Sequence, residues 1–335
     1  MKHGLLLINL GTPDKATTAS VRRYLREFLS DRRVINLPAP LRYLLLYCII
    51  LPFRSHRSAH AYQAIWQKEG SPLSIHSKNL SAKLQKKLKP HYKVALGMRY
   101  GNPSIEKALI ELQHCETITI LPLYPQYSSA ATGSSIEKTL GLLSTKELIP
   151  SLHLIRDFHS HPSFINAEVE ILKPLIKDHE HILFSYHGIP ENHLHKIGCE
   201  KVCTTSCPST NTNDKGCYRA QCMETTNLIA KAIGLKSETY STAFQSRFGK
   251  TPWIKPYTDK ILEDLIKKGI KSLLVICPSF VADCLETIEE IGIRLKEQWL
   301  ALGGKELTLA PCLNDNEIWI NAIIDITGCT FNIDK

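Results

Sequence analysis

His187 closes the segment Phe184-Ser185-Tyr186-His187-Gly188, and its imidazole is a group that could do chemistry near neutral pH. An imidazole serves there as a base or as a metal ligand. The preceding run His181-Ile182-Leu183-Phe184 reads as a short buried strand. A strand that ends in a polar cluster and a glycine presents side chains at the C-terminal rim of an α/β sheet, where ligands bind. Taken alone, His187 is better explained as a residue that caps its strand by bonding the backbone. The rest of the chain has to supply a reason for more.

One reason is Glu286, followed by Glu289 and Glu290, on a helix expected over Asp283–Leu295. Glu286 and Glu290 share a helix face at i, i+4. This is either a solvated acidic stripe or a first-turn carboxylate aimed at His187. A His and a carboxylate make a workable proton-accepting pair and a weak N/O site for a divalent metal. Other strand ends also collect unusual residues: Asn9-Leu10-Gly11-Thr12-Pro13, Leu123-Tyr124-Pro125-Gln126-Tyr127, Gln245-Ser246-Arg247-Phe248 with Pro252-Trp253, and Cys277-Pro278-Ser279-Phe280. Gathered on one rim, they suit a large, flat, mostly apolar ligand.

A second constellation is made of thiols. Cys199, Cys203, Cys207, Cys217 and Cys222 follow the pattern C-x3-C-x3-C-x9-C-x4-C, with a polar core between Cys207 and Cys217. Four thiolates suffice for zinc or for an iron–sulfur cluster. The C-x2-C pairs that zinc sites prefer are absent. Cys222 reads as the opening of the next helix and as the spare thiol. The other six of the 11 cysteines are scattered, mostly in apolar surroundings.

The elements that must position these groups alternate strand and helix. Strands are expected at Leu5–Leu10, Tyr92–Gly97, Thr117–Leu121 and Leu152–Ile155, then at Ile182–Tyr186, Thr239–Phe244, Ser272–Cys277 and Leu307–Ala310. Alternation of this kind predicts parallel sheets flanked by helices. With 335 residues, two domains are expected, 1–157 and 158–335, with a ligand cleft between them. The C-terminal helix, over Asn316–Ile326, could pack back on the first domain. Residues from Pro40 to Leu88 read as helical, with breaks at Pro52 and at Gly70-Ser71-Pro72. No Gly-x-Gly-x-x-Gly or Walker loop supports a nucleotide cofactor.

Composition narrows the class. The chain is 43% hydrophobic and 22% charged, as expected of a folded globular protein. Lys and Arg number 41 against 32 Asp and Glu, a net +9 that favours anionic ligands or anionic membrane surfaces. No zinc finger, RNA-binding aromatic signature or basic stripe points to nucleic acid. No signal peptide and no spanning helix is read, so a cytoplasmic protein is expected. The apolar lip of residues 37–53, with Arg54 and Arg57 after it, reads as a buried helix or as one lying at a membrane surface.

Taken together the motifs resemble the ferrochelatase family. The resemblance covers nearly the whole chain and rests on Asn9-Leu10-Gly11-Thr12-Pro13, Gly70-Ser71-Pro72-Leu73, Tyr124-Pro125-Gln126-Tyr127-Ser128, Thr132-Gly133-Ser134-Ser135, Ser185-Tyr186-His187-Gly188, Phe244-Gln245-Ser246-Arg247, Pro252-Trp253 and Asp283-Cys284-Leu285-Glu286-Thr287. It implies an α/β chelatase fold of two Rossmann-like domains around a porphyrin cleft. It implies insertion of Fe2+ into protoporphyrin IX with release of two protons. His187 and Glu286 take the family's catalytic and metal-handling positions, and Leu10, Arg32, Tyr124, Trp253 and Phe280 its pocket positions, Arg32 as a propionate contact. Many members carry a His where this chain has Cys284. Members acting on coproporphyrin carry a Tyr where this chain has Leu10, which leans toward protoporphyrin. Some members hold a 2Fe–2S cluster in an internal insertion, here residues 198–222, which favours Cys199, Cys203, Cys207 and Cys217 as ligands with Cys222 as alternative. Competing readings are a non-catalytic porphyrin or haem carrier and a chelatase for coproporphyrin or a corrin precursor.

Overall fold

The computed structural model describes residues 2–203, 216–249 and 251–329. Eight strands occur in the order β1 His3–Asn9, β2 Tyr92–Met98, β3 Thr117–Pro122, β4 Ser151–Leu154, β5 His181–His187, β6 Tyr240–Gln245, β7 Ser272–Ile276 and β8 Glu306–Leu309. They form two parallel four-stranded sheets, β2-β1-β3-β4 and β6-β5-β7-β8. Each sheet places its second strand at one edge, so the two halves repeat one topology. In each, the strand order reverses between the first and third strands, the switch point at which open α/β sheets bind ligands.

The described residues fall into two compact units. One comprises 2–124, 128–157 and 314–329; the other comprises 125–127 and the described part of 158–313. In the first, Leu5, Leu6, Leu7 and Ile8 are wholly buried, as a parallel strand covered on both faces must be. Leu6, Ile8, Ile118 and Ile120 pack with Ile105, Leu109 and Leu112. Thr17 caps the helix Thr18–Ser30 by accepting from the Ser20 amide. The helix Glu317–Thr327, capped by Asn316, belongs to this unit, where Lys87 pairs with Glu317 and Lys83 with Asp315 of its lead-in. In the second unit, Leu183, Ala243, Leu273 and Val275 pack with Ile291, Leu295 and Trp299.

Three segments differ from the sequence pattern. Pro52 does not break its helix. Ala39–Leu45 runs through a π-helical turn, Leu46–Ile50, into Leu51–Ile65. The i→i+5 spacing of a π turn, with the Leu51 amide on the Leu46 carbonyl, leads into a helix whose first turn tolerates a residue lacking an N–H. Nor is this lip buried as a whole: Leu46, Ile50 and Leu51 face inward, while Leu41, Tyr43, Leu44, Tyr47, Ile49 and Phe53 are exposed, Phe53 to 73%. The helix expected to open at Cys222 begins at Tyr218, with Cys217 as its cap residue, because Tyr218, Ala220 and Cys222 add apolar contacts that extend the buried face. The helix over Glu286 is an 11-residue π helix, Leu285–Leu295, followed by an α-helical turn, Lys296–Ala301. π segments of this length are rare and concentrate at functional sites.

Candidate active site

The second unit brings His187 to the end of β5, beside the switch point. The β5–β7 ladder stops at Phe184 and Ile276, whereas β5 stays paired to β6 as far as His187 and Gln245. Beyond β7 the chain turns through Cys277-Pro278-Ser279-Phe280, and the Ser279 hydroxyl accepts from the His187 amide at 3.0 Å. The ring of His187 lies between two aromatic rings, with centroids 6.3 Å from Trp253 and 6.1 Å from Phe280. Trp253 is fixed by its indole N–H on the Phe248 carbonyl. Gly188 must be glycine: an added Cβ would stand 2.9 Å from the Gln245 carbonyl and 3.2 Å from the Trp253 ring.

The His187 ring has a defined tautomer. Its Nδ1 lies 2.6 Å from the Gly188 carbonyl oxygen, which can only accept. Nδ1 therefore carries the hydrogen, so in the neutral ring Nε2 holds the lone pair that a base or ligand needs. The backbone bond that makes His187 look like a strand cap is the bond that prepares its other nitrogen.

Glu286 lies in the first turn of its helix, whose start is fixed by the Cys284 amide on the Thr287 hydroxyl at 2.9 Å. Cys284 is buried; burial, and then the neighbouring Glu286, push its thiol well above its ordinary range. Glu290 follows one turn later. Ser246 holds its carboxylate from the main-chain N–H at 2.8 Å and the hydroxyl at 2.6 Å. Ser246 adopts φ 66° to do so, an unusual backbone for a serine. Burial raises the Glu290 carboxyl above its ordinary value, and Glu286 adds to the rise against the pull of His187 and Arg294. Glu290 also lines a cavity of about 300 Å³ with Gln245, Ser246, Asp259 and Arg294. Thus the structure adds Glu290, Gln245 and Ser279 to the surroundings of the predicted pair. The strand-end positions of Gln245 and Ser279, and the helix face that Glu290 shares with Glu286, were the usable signals.

The first unit holds the remaining predicted pocket residues. Leu10 and Tyr124 follow β1 and β3, on either side of that sheet's switch point. Leu10 is half-buried, its amide on the Asn9 side chain and its carbonyl accepting from Tyr100. Next to it Gly11, at φ +105°, has the Tyr100 carbonyl oxygen 1.7 Å from where a Cβ would stand, so only glycine fits. The Tyr124 hydroxyl lies 3.4 Å from that of Ser135. Arg32 is largely exposed and pairs with Glu137 at 2.6 Å; Arg33 pairs with the other oxygen of the same carboxylate.

Of the cysteine segment, Cys207 lies outside the described residues. Cys199 and Cys203 are half-buried, and Cys217 and Cys222 are buried. Arg219, itself 1% exposed, donates to the Cys203 sulfur at 3.4 Å. Cys222 lies in the second turn of its helix among Tyr218 and other core groups, and burial pushes its thiol well above the ordinary range. Among the described residues no group of three or more His, Cys, Asp or Glu side chains is arranged to hold a metal ion, and no helix is long and apolar enough to cross a membrane.

A family model described as Ferrochelatase matches residues 2–328. A protein named Ferrochelatase from Legionella pneumophila (strain Lens) is 60% identical over 99% of this chain and 100% of its own. One of the same name from Coxiella burnetii is 48% identical over 96% of this chain and 92% of its own. Among solved structures, the sirohydrochlorin chelatase SirB from Bacillus subtilis subspecies spizizenii, in complex with cobalt, superposes with a TM-score of 0.51 over 98% of this chain and 94% of that one, at 12% identity. This last likeness is one of fold.

Proposed function

Since the chain belongs to the ferrochelatase family, we propose that His187 is the base and Glu286 its metal-handling partner in inserting Fe2+ into protoporphyrin IX. The observation that carries the assignment is the tautomer of His187, whose Nδ1 is tied to the Gly188 carbonyl while Nε2 is left as an acceptor. The reaction removes two pyrrole protons and replaces the water around Fe2+ with four ring nitrogens. A planar macrocycle hides those lone pairs. A site that binds the puckered ring better than the flat one exposes them and lowers the barrier. Nε2 of His187 takes the two pyrrole protons in turn, handing on the first before the second leaves, and Glu286 helps shed water from the iron. Glu290, whose carboxylate burial makes a stronger proton acceptor than an ordinary one, can take the proton in turn and pass it to the adjoining cavity.

Trp253 and Phe280 flank His187 and supply flat apolar faces. Leu10 and Tyr124, at the strand ends of the first unit, are proposed as further apolar contacts to the porphyrin, as the family resemblance implies. Arg32 takes a propionate, and its pairing with Glu137 makes this feasible: Arg33 stays on the same carboxylate when Arg32 turns away. Leu10, with no hydroxyl to meet an additional carboxylate, fits protoporphyrin over coproporphyrin.

Cys199, Cys203, Cys207 and Cys217 are proposed to hold a 2Fe–2S cluster. One observation suits it: the buried Arg219 donates to the Cys203 sulfur, the kind of hydrogen bond that stabilises a thiolate ligand. Cys222 is set aside, because its buried neutral thiol belongs to the helix core. The cluster would supply a redox-active or structural centre; no step of metallation is routed through it. The exposed face of residues 37–53 is proposed to rest on the inner surface of the cytoplasmic membrane, from which an apolar porphyrin is collected.

The test is anaerobic turnover with Fe2+ and either protoporphyrin or coproporphyrin, followed by the absorption spectrum. Many equivalents of haem per protein, with protoporphyrin preferred, is the expected result. A stoichiometric spectral change with no turnover would make the protein a carrier.

A further inference from the structure

Sheets normally position their residues through the ladder, and at His187 half of that ladder is missing. Its last pairing with β7 is at Phe184, three residues earlier. On the side facing β6, Gly188 still bonds the Gln245 carbonyl. On the other, side chains take over. The Ser279 hydroxyl accepts from the His187 N–H at 3.0 Å, and the Tyr218 hydroxyl donates to the His187 C=O at 2.8 Å. The two hydroxyls thus hold the His187 main chain at both its groups, Ser279 on the N–H and Tyr218 on the C=O. Tyr218 is 5% exposed and rigidly set one residue after the cap of its helix.

We propose that Tyr218 and Ser279 are positioning residues for the metallation reaction, clamping the main chain of His187 so that Nε2 faces the bound porphyrin. The proposal rests on His187 being the base, and it is independent of what the cysteine segment holds. Neither hydroxyl touches substrate. Each acts through His187, so its loss displaces the ring rather than weakening porphyrin binding. Misplacement of a reacting group by about 1 Å can cost up to about 100-fold.

The test uses the full-length protein with Tyr218→Phe, which keeps the ring, and Ser279→Ala, alongside His187→Ala. The expected result is a fall in kcat of about tenfold for each clamp variant, with the KM for protoporphyrin within about twofold of wild type. Porphyrin binding by fluorescence and the circular dichroism spectrum stay unchanged. Unaltered kcat in Tyr218→Phe and Ser279→Ala, with His187→Ala inactive, overturns the clamp and leaves the base in place. A rise in KM alongside the fall in kcat also overturns it, because that marks general loss of structure. Should Tyr218→Phe fail to fold, Ser279→Ala decides by the same split. A fully active His187→Ala would instead remove the base assignment on which the clamp depends.

Discussion

The side-chain amide of Gln245 donates to the main-chain carbonyl of Glu286 at 2.7 Å. Gln245 is also the strand neighbour of His187, and its Oε1 accepts from the Ser185 hydroxyl. One buried amide therefore ties the strand carrying the base to the π helix carrying the carboxylate. Replacing it with leucine takes this partner from the Glu286 carbonyl and leaves the Ser185 hydroxyl with Thr258 alone. We expect Gln245→Leu to cost about 1–3 kcal/mol in urea unfolding and to lower kcat more than it raises KM. Unchanged kcat in a correctly folded variant would show that the tie has no part in turnover.

His187→Ala removes the imidazole between Trp253 and Phe280, whose Nε2 can take a proton. Loss of a general base costs about 100-fold to 10,000-fold. The expected outcome is a kcat reduced by at least about 100-fold with porphyrin fluorescence quenching retained, measured under anaerobic conditions. Normal turnover would sink the mechanism.

How much of this could be read without coordinates follows from the range of each interaction. β1 and β5 are legible because buried parallel strands are continuous apolar runs, and the helix start at Asn316 because a cap acts over three residues. His187 and Glu286 stand out by type and by their place at the ends of elements. Tyr218 does not: it acts on a carbonyl 31 residues earlier, and nothing local marks it. The π helix at Leu285–Leu295 is equally hidden, since its apolar spacing is close to that of an α helix and its wider turn follows from packing. Pro52 misleads for the opposite reason, because a strong local signal is absorbed by the neighbouring π turn.

Arg219 and Cys203 give the cysteine segment a testable geometry. The protein purified anaerobically is expected to show iron-dependent visible absorbance, lost in Cys203→Ser and Cys217→Ser and retained in Cys222→Ala. Arg219→Leu should shift the reduction potential downward, because it removes a hydrogen bond to a ligand sulfur. Colourless protein containing zinc would replace the cluster with a zinc site.

Leu44, Ile49 and Phe53 are 60%, 56% and 73% exposed, although they belong to an apolar helix whose other face is buried. Apolar side chains left in water on one face, with Arg54 and Arg57 following, suit an anionic lipid surface. The triple variant Leu44→Ser/Ile49→Ser/Phe53→Ser should lose co-sedimentation with vesicles containing anionic lipid while keeping turnover on detergent-dispersed porphyrin. Equal sedimentation of both proteins would leave the face without a membrane role.

Glu168 is a buried carboxyl in the helix Pro162–Ile176, and burial alone pushes it up to about 8 from an ordinary 4.5. In the unfolded chain it ionises above that ordinary value, whereas in the fold it stays protonated until about pH 8. The folded state therefore holds the extra proton across this window, and stability falls as pH rises. The contribution is fully present below about 4.5 and gone above about 8. At about 1.4 kcal/mol per pH unit, the slope sums to roughly 3–5 kcal/mol. Glu168→Gln keeps a neutral side chain of the same shape at every pH. Its melting temperature should match wild type near pH 5 and exceed it by several degrees at pH 8, as read by circular dichroism. Parallel melting curves for the two proteins across that range would mean that the carboxyl finds a charged partner or water in solution.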